Sequence, residues 1–380
     1  MTRSRVMRSM GVIGLVAAMS VLGVACGNSK SGGNGGSGGS TIAFMGAGTG
    51  PDAQLGINIS NGAQLAFNQW TSKDKKKYTF TKYDTQGDPT QASSQAKKVV
   101  QDKALVVIGP AFSGESKTAD PILEKAKIPS ISASATAVSL AHQGFKYWHR
   151  ILSNDDVQGP GDADFMVKTL GAKKVAVIDD QSEYGKGLGD AVRGQLKKDN
   201  VTVSPSGTLD PKGTDYSTTV NQIKAANPDT IFFAGYYSAA AKLVKQLRKA
   251  GVKGHFVSGD GSQDEKLATQ AGTAANGALL SCTCSLAVGS SDPAAQKFEA
   301  AYKAAYHTEP STYSAEGFDT MNIILQAIDK GNTTSAKINE YLKTLDYKGV
   351  SKPIKFTDPS ELARNLLFFP ATVHGKLTFL

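Results

Sequence analysis

From Thr41 onward the sequence predicts an α/β fold in which parallel sheets are covered by helices on both faces. Short β-branched or aromatic runs alternate with amphipathic stretches along the chain. Several runs, such as Val106-Val107-Ile108 and Val175-Ala176-Val177-Ile178, are apolar on both sides, as interior parallel strands should be. The segments just after the runs are polar, small or aromatic, and a ligand of an open α/β sheet sits outside the carboxyl ends of its strands.

In order, strands are expected at Thr41–Met45, Tyr78–Tyr83, Leu105–Ile108, Lys174–Ile178, Val201–Val203, Thr230–Phe233 and His255–Val257. Helices are expected between them at Gly56–Trp70, Pro89–Asp102, Gln181–Asp199, Asp215–Ala226 and Ser238–Ala250, where apolar residues recur at helical spacing. Strand-end loops then fall at Gly46–Pro51, Gly109–Gly114 and Ser132–Thr136 in the first half. In the second they fall at Asp179–Gly185, Gly235–Tyr237 and Gly259–Gly261.

The 380 residues suffice for about two domains and an ordinary packed core. The formal charge is +9, three of it in Arg3, Arg5 and Arg8, and the rest is spread along the chain, so nucleic-acid binding is not indicated. Three cysteines are too few for a disulfide scaffold and lack zinc-site spacing.

Those arginines precede an apolar run from Met10 to Leu22 and the small residues Val24-Ala25, the plan of a secretory signal too short to span a bilayer permanently. Cys26 directly behind resembles the cysteine of a bacterial lipobox, which is lipidated after cleavage; Gly23 stands where such motifs usually put Leu. The alternative is an ordinary cleaved signal with a coincidental cysteine. Residues 27–40 read GNSKSGGNGGSGGS, a composition that behaves as a flexible leash of roughly 20 Å. The reading is a signal at 1–25, a lipidated cysteine and tether at 26–40, and a folded body held to the outer face of the cell membrane.

Several motifs have bland readings. Gly46-Ala47-Gly48-Thr49-Gly50 lacks the spacing of a dinucleotide fingerprint, and Gly185-Lys186-Gly187 that of a P-loop. Lys73–Lys77 reads as a solvated loop. His142, His149, His255, His307 and His374 form no HExxH motif or close pair, so no metal site, cofactor site or catalytic dyad is nominated.

The segment Tyr83-Asp84-Thr85-Gln86-Gly87-Asp88-Pro89, with Lys98-Val99-Val100 and Val107-Ile108-Gly109, resembles the branched-chain amino acid (Leu/Ile/Val) binding proteins of ABC importers, of the periplasmic binding protein type I group. Ser134–Ala137, Asp156–Pro160, Tyr184–Leu188 and Tyr313–Asp319 agree in the same order, so the resemblance runs from Thr41 to about Phe356. It implies a two-lobed clamshell with three hinge crossovers, near Ser153, Cys282–Ser285 and Lys355. Lobe one would be 41–153 with 285–354, and lobe two 154–284 with 355–380.

The resemblance also implies roles. Ser113, Ser134 and Thr136 match donors to a ligand α-carboxylate, which needs charge-assisted hydrogen bonds when it leaves water. Asp260 matches the acid that meets the α-ammonium, as Asp where some relatives have Glu. Tyr184 and Tyr236 match aromatics that cover the ligand, and Leu55 and Tyr313 fall at its side-chain pocket. Ordinary turn and cap chemistry is the alternative for each hydroxyl and acid. Cys282 and Cys284 lie at the second crossover, where an oxidising compartment permits a hinge-stiffening bridge; two free thiols or an intermolecular link are the alternatives.

The function implied is capture of an α-amino acid, branched-chain or otherwise aliphatic, and delivery to the permease subunits of an ABC importer by a monomer that needs no catalysis. Three rivals stand beside it: the same fold with an amide, urea or aromatic acid as ligand, a sensor for a membrane receptor, and an exported hydrolase using Ser113 or Asp260. The last has no histidine base near either residue in a recognisable motif.

Overall fold

The structure is a computed structural model that describes residues 40–285, 287–358, 361–362, 371–373 and 377–379. The expected signal, Cys26 and the tether up to residue 39 lie outside the described residues. Among the described residues no helix is long and apolar enough to cross a membrane.

The first half alternates β1 (Ser40–Gly46), α1 (Ala53–Gln69), β2 (Tyr78–Asp84), α2 (Pro89–Gln101), β3 (Val106–Ile108), α3 (Ser113–Ala126), β4 (Ser130–Ser132) and β5 (Trp148–Arg150). Its strands form a parallel sheet in the order β2-β1-β3-β4-β5, with Ala43 beside both Thr81 and Val107. Every residue of β3 is fully buried, which is why its apolar run does not alternate.

The second half follows with α4 (Asp155–Asp164), β6 (Lys174–Asp179), α5 (Glu183–Lys198), β7 (Thr202–Thr208), α6 (Ser217–Ala226), β8 (Thr230–Ala234), α7 (Tyr237–Lys249), β9 (His255–Ser258), α8 (Glu265–Ala271) and β10 (Leu279–Leu280). Beyond them come α9 (Pro293–Tyr306), α10 (Ser314–Asp329), α11 (Ser335–Lys343), β11 (Asp346–Lys348), β12 (Pro353–Asp358), β13 (Glu361–Leu362), β14 (Ala371–Val373) and β15 (Leu377–Phe379). The second sheet runs β15-β14-β10-β9-β8-β6-β7, parallel from β10 to β7, with β14 and β15 added antiparallel at its edge. The expected strands and helices agree with these to within a few residues.

Side chains start the helices as the sequence suggests. Asp88 accepts from the N–H groups of Thr90 and Gln91 with Pro89 behind it, and Ser182 accepts from Gly185 N–H. Helices α1 and α10 lie in close contact because Gly62 and Gly317 have no side chain. A Cβ on Gly62 would stand 2.0 Å from Ser314 O, and one on Gly317 2.2 Å from Ile59 O. That approach brings the N-terminal ends of the two helices, with Leu55 and Tyr313, to the same place.

Two weak motifs have plain explanations. The Gly46–Gly50 loop is organised by the Asp84 carboxylate, which takes Gly48 N–H at 2.8 Å and the Thr49 hydroxyl at 2.6 Å. Gly185-Lys186-Gly187 is the first turn of α5.

Candidate functional site

Between the carboxyl ends of the two sheets lies a tightly closed cavity with only about 10 Å³ of free space. The first sheet's side contributes Leu55, Phe112, Ser113 and Ser134; the second contributes Tyr184, Tyr236 and Asp260, and Tyr313 closes it from the start of α10. Seven of the eight expected ligand-site residues therefore line one space. Thr136 does not: it is fully buried behind the lining, its carbonyl accepts Asp155 N–H at 3.0 Å, and its hydroxyl has no hydrogen-bond partner.

The loop carrying Ser113 is built on Glu115. This buried carboxyl accepts the N–H groups of Ala111 and Phe112 at 3.1 and 3.0 Å and the hydroxyl of Thr85. Burial pushes it up to about 7. Ser113 Oγ accepts Ala137 N–H at 3.2 Å, and the Ser134 hydroxyl donates to Ala111 O at 2.5 Å. The two loops are thereby tied to each other, and the Ser113 hydroxyl keeps its own hydrogen to donate.

Asp260, just beyond β9, is 1% exposed. Tyr184 donates to its Oδ1 and Tyr313 to its Oδ2, each at 2.5 Å, and Gly261 N–H donates to the Tyr184 oxygen at 3.2 Å. Burial raises its pKa, and the two phenols, Gln158 and the Gly261 amide oppose the rise. Tyr313, expected at the side-chain pocket, thus has its hydroxyl on the acid. Its backbone is left-handed, with φ 67°, an uncommon conformation for a bulky residue. Tyr236 lies between Tyr184, at 5.3 Å between ring centroids, and Phe112, at 4.6 Å.

Behind Asp260 lie two further acids that sequence reasoning missed. Asp155 and Asp162 project from α4, both fully buried; neither carboxyl makes a hydrogen bond of good geometry, with the Thr136 hydroxyl beside Asp155 and the Ser281 hydroxyl beside Asp162. Burial, then the charge of Asp260, pushes Asp155 up to about 8; burial raises Asp162 well above its ordinary range, reinforced by Asp260 and Asp155. Among the described residues no set of His, Cys, Asp and Glu could hold a metal ion. Phe112 was also missed, although its loop was singled out as a strand end.

Polar contacts join the two sides around the cavity. Asp52 accepts from Ser238 N–H and hydroxyl at 3.0 and 3.1 Å, Asn58 donates to Asp264 at 3.1 Å, and Glu183 meets Lys117 at 2.7 Å and the Ser139 hydroxyl at 2.8 Å. Elsewhere the chain segments between the sheets meet at Thr283. Its hydroxyl donates to Ser153 O at 3.3 Å, and its carbonyl accepts Lys352 Nζ at 3.1 Å. Lys352 also pairs with Glu316 at 2.9 Å, both fully sequestered. A disulfide joins Cys282 to Cys284 on either side of Thr283.

Comparison with known proteins matches residues 40–369 to the family profile described as periplasmic binding protein. The Leu/Ile/Val-binding protein of Citrobacter freundii is 34% identical over 242 residues, covering 63% of this chain and 66% of that protein, just under two thirds of its length. A leucine binding protein from Thermotoga maritima superposes with a TM-score of 0.83 at 28% identity, over 90% of this chain and 97% of the other. The branched-chain amino acid transporter substrate binding protein of Streptococcus pneumoniae, solved with isoleucine, does so with 0.82 at 29% identity, over 90% and 99%. With the match running through both sheets and both sides of the cavity, the chain belongs to the periplasmic binding protein family, in its two-lobed type I form.

Proposed function

We propose that this protein is an exported solute-binding protein that captures a branched-chain or other aliphatic α-amino acid between its lobes and delivers it to an ABC importer. The observation that carries the reading is the cavity itself: hydroxyls of Ser113 and Ser134 on one side, a buried acid on the other, and Leu55 and aromatic rings between them. An amino-acid zwitterion needs donors for its carboxylate and an acid for its ammonium, and Leu55 with the surrounding rings offers apolar surface to its side chain. The relatives named for Leu, Ile and Val support the same class.

In this reading the Ser113 hydroxyl donates to the carboxylate, the Ser134 loop, tied to Ala111 O through its hydroxyl, borders the same end of the ligand, and Thr136 supports that loop from behind. Asp260 takes the ammonium, and Tyr184 and Tyr236 cover the ligand. Lobe one is 41–153 with 285–354 and lobe two 154–284 with 355–380; the crossovers near Ser153, Cys282–Ser285 and Lys355 form the hinge. The bonds of Thr283 to Ser153 and Lys352 support that location. Because the ligand touches both lobes only when they are closed, it stabilises the closed state by its differential affinity. Cys26 anchors the working protein to the membrane through lipid.

Thermal unfolding against the common amino acids, urea, short amides and aromatic acids tests the ligand class. A ligand at 100 times its Kd adds about 2.7 kcal/mol, and the expected outcome is a rise of several degrees with Leu, Ile or Val. Asp260→Ala should abolish that rise, since it leaves the ammonium buried without a partner at about 3–5 kcal/mol. A response confined to urea, an amide or an aromatic acid, retained in Asp260→Ala, would overturn the amino-acid reading.

A further inference from the structure

The five strands of the first sheet are parallel, so their N-terminal ends share one edge, on the far side of the lobe from the cavity. Exposed lysines stand at the approach to four of them: Lys73, Lys76 and Lys77 before β2, Lys103 before β3, Lys127 before β4 and Lys146 before β5. The remaining strand, β1, lies second in the sheet and begins at Ser40, where the chain arrives from the Gly/Ser segment and Cys26. With strands about 4.8 Å apart, this edge is a positively charged band roughly 20 Å wide with the tether entering inside it.

Asp74, Asp102 and Glu124 stand at the same strand approaches and are outnumbered by the lysines. Asp74 pairs with Lys77 at 2.8 Å, Asp102 accepts from the Tyr83 hydroxyl at 2.9 Å, and Glu124 accepts the N–H groups of Lys146 and Tyr147 at 3.0 and 2.9 Å. Among the described residues Lys73, Lys76, Lys103, Lys127 and Lys146 have no ion-pair partner. The corresponding edge of the second sheet also carries lysines, Lys173, Lys197, Lys198 and Lys253, as the C-terminal ends of helices favour. Only the first edge is where the tether joins.

We propose that this lysine edge of the first lobe is a docking surface for anionic phospholipid headgroups, which seats the tethered protein on its membrane with the ligand cleft turned away from the lipid. A leash of roughly 20 Å keeps the edge within about two Debye lengths of the headgroups, where clustered lysines are attracted. The inference rests on the lipid-anchor reading for its orientation, but the surface is tested without the lipid.

The mature chain from residue 26, carrying Cys26→Ser, is sedimented with vesicles of phosphatidylcholine containing about 30% phosphatidylglycerol, and with phosphatidylcholine alone. The expected result is binding to the anionic vesicles only, lost at about 0.5 M NaCl. Changing Lys73, Lys76, Lys103 and Lys127 to Gln should weaken it at least about tenfold, whereas the same change at Lys173, Lys197, Lys198 and Lys253 should leave it within about twofold. An unchanged melting temperature and ligand response would show that the first variant is folded with its site intact. No binding to anionic vesicles, or equal losses in the two variants, would overturn the proposal. The mass of the Cys26 peptide from protein made in its native membrane tests the anchor separately: an unmodified Cys26 would remove the tether reading and leave the vesicle result standing.

Discussion

Asp260 is held by phenols from two different parts of the chain, Tyr184 at the start of α5 and Tyr313 at the start of α10. In the proposed amino-acid site the Tyr313 hydroxyl would therefore act on the charged end of the ligand through the acid, independently of the ligand's side chain. Tyr313→Phe removes a hydrogen bond to a carboxylate and should weaken amino-acid binding about tenfold or more, by the same factor for Leu, Ile and Val. Titration calorimetry with the three amino acids checks this, and a selective loss of one would return Tyr313 to the side-chain pocket. The place of Asp260 at a strand end was legible in the sequence, because it follows the run His255–Val257, whereas its role came only from the resemblance. The bond from Tyr313 was not legible, because it depends on the left-handed backbone at that residue and on where α10 packs.

At the scale of elements, α4 shows where sequence reading stops. Asp155, Gln158 and Asp162 recur at helical spacing as a polar stripe, the pattern of an exposed face, and lie outside the helices expected from the sequence; all three are fully buried. The fold overrides the pattern because Asp260 and Ser281 occupy the same interior, and Gln158 donates to Ser281 at 3.1 Å. The strands and helices themselves were legible, since runs such as β3 and β6 are apolar on both faces. The acids have a measurable consequence. Asp155, raised to about 8 from 3.8, keeps in the folded state a proton that the unfolded chain has lost across that interval. The folded state binds more protons there, so stability is fully present near pH 4 and falls as pH rises to about 8. Asp155→Asn should flatten this decline, so that melting temperatures measured from pH 5 to 8 fall less steeply than in the unsubstituted protein; Asp162, raised by burial, and Glu115, Asp120 and Asp319, at about 7, 8 and 7, contribute to the remainder.

For the whole molecule, contacts at the cavity rim join the two lobes and add to the stability of the closed arrangement. Glu183 reaches Lys117 and Ser139 across it, but the lysine is more than half exposed, which limits the pair to at most about 1 kcal/mol. Glu183→Ala should therefore speed ligand release by no more than about fivefold and leave the association rate unchanged, as stopped-flow fluorescence would record. The buried contacts among Ser153, Thr283, Lys352 and Glu316 lie away from the rim and should not separate on opening. The two-lobed plan was legible from motif order along the chain, whereas these rim contacts join residues far apart in sequence and needed the fold.

The addition of β14 and β15 to the second sheet has a temporal consequence. That sheet begins at Lys174 and is completed only by residues 371–379, while α10 and α11 must return to cover the first. Such long-range pairings slow folding, because distant segments must meet before they reward each other. A growing polypeptide emerging from the ribosome has its second sheet unfinished until its last tenth is made. The strands of the first sheet are thus all made before residue 151, and the second sheet is the later of the two to be completed.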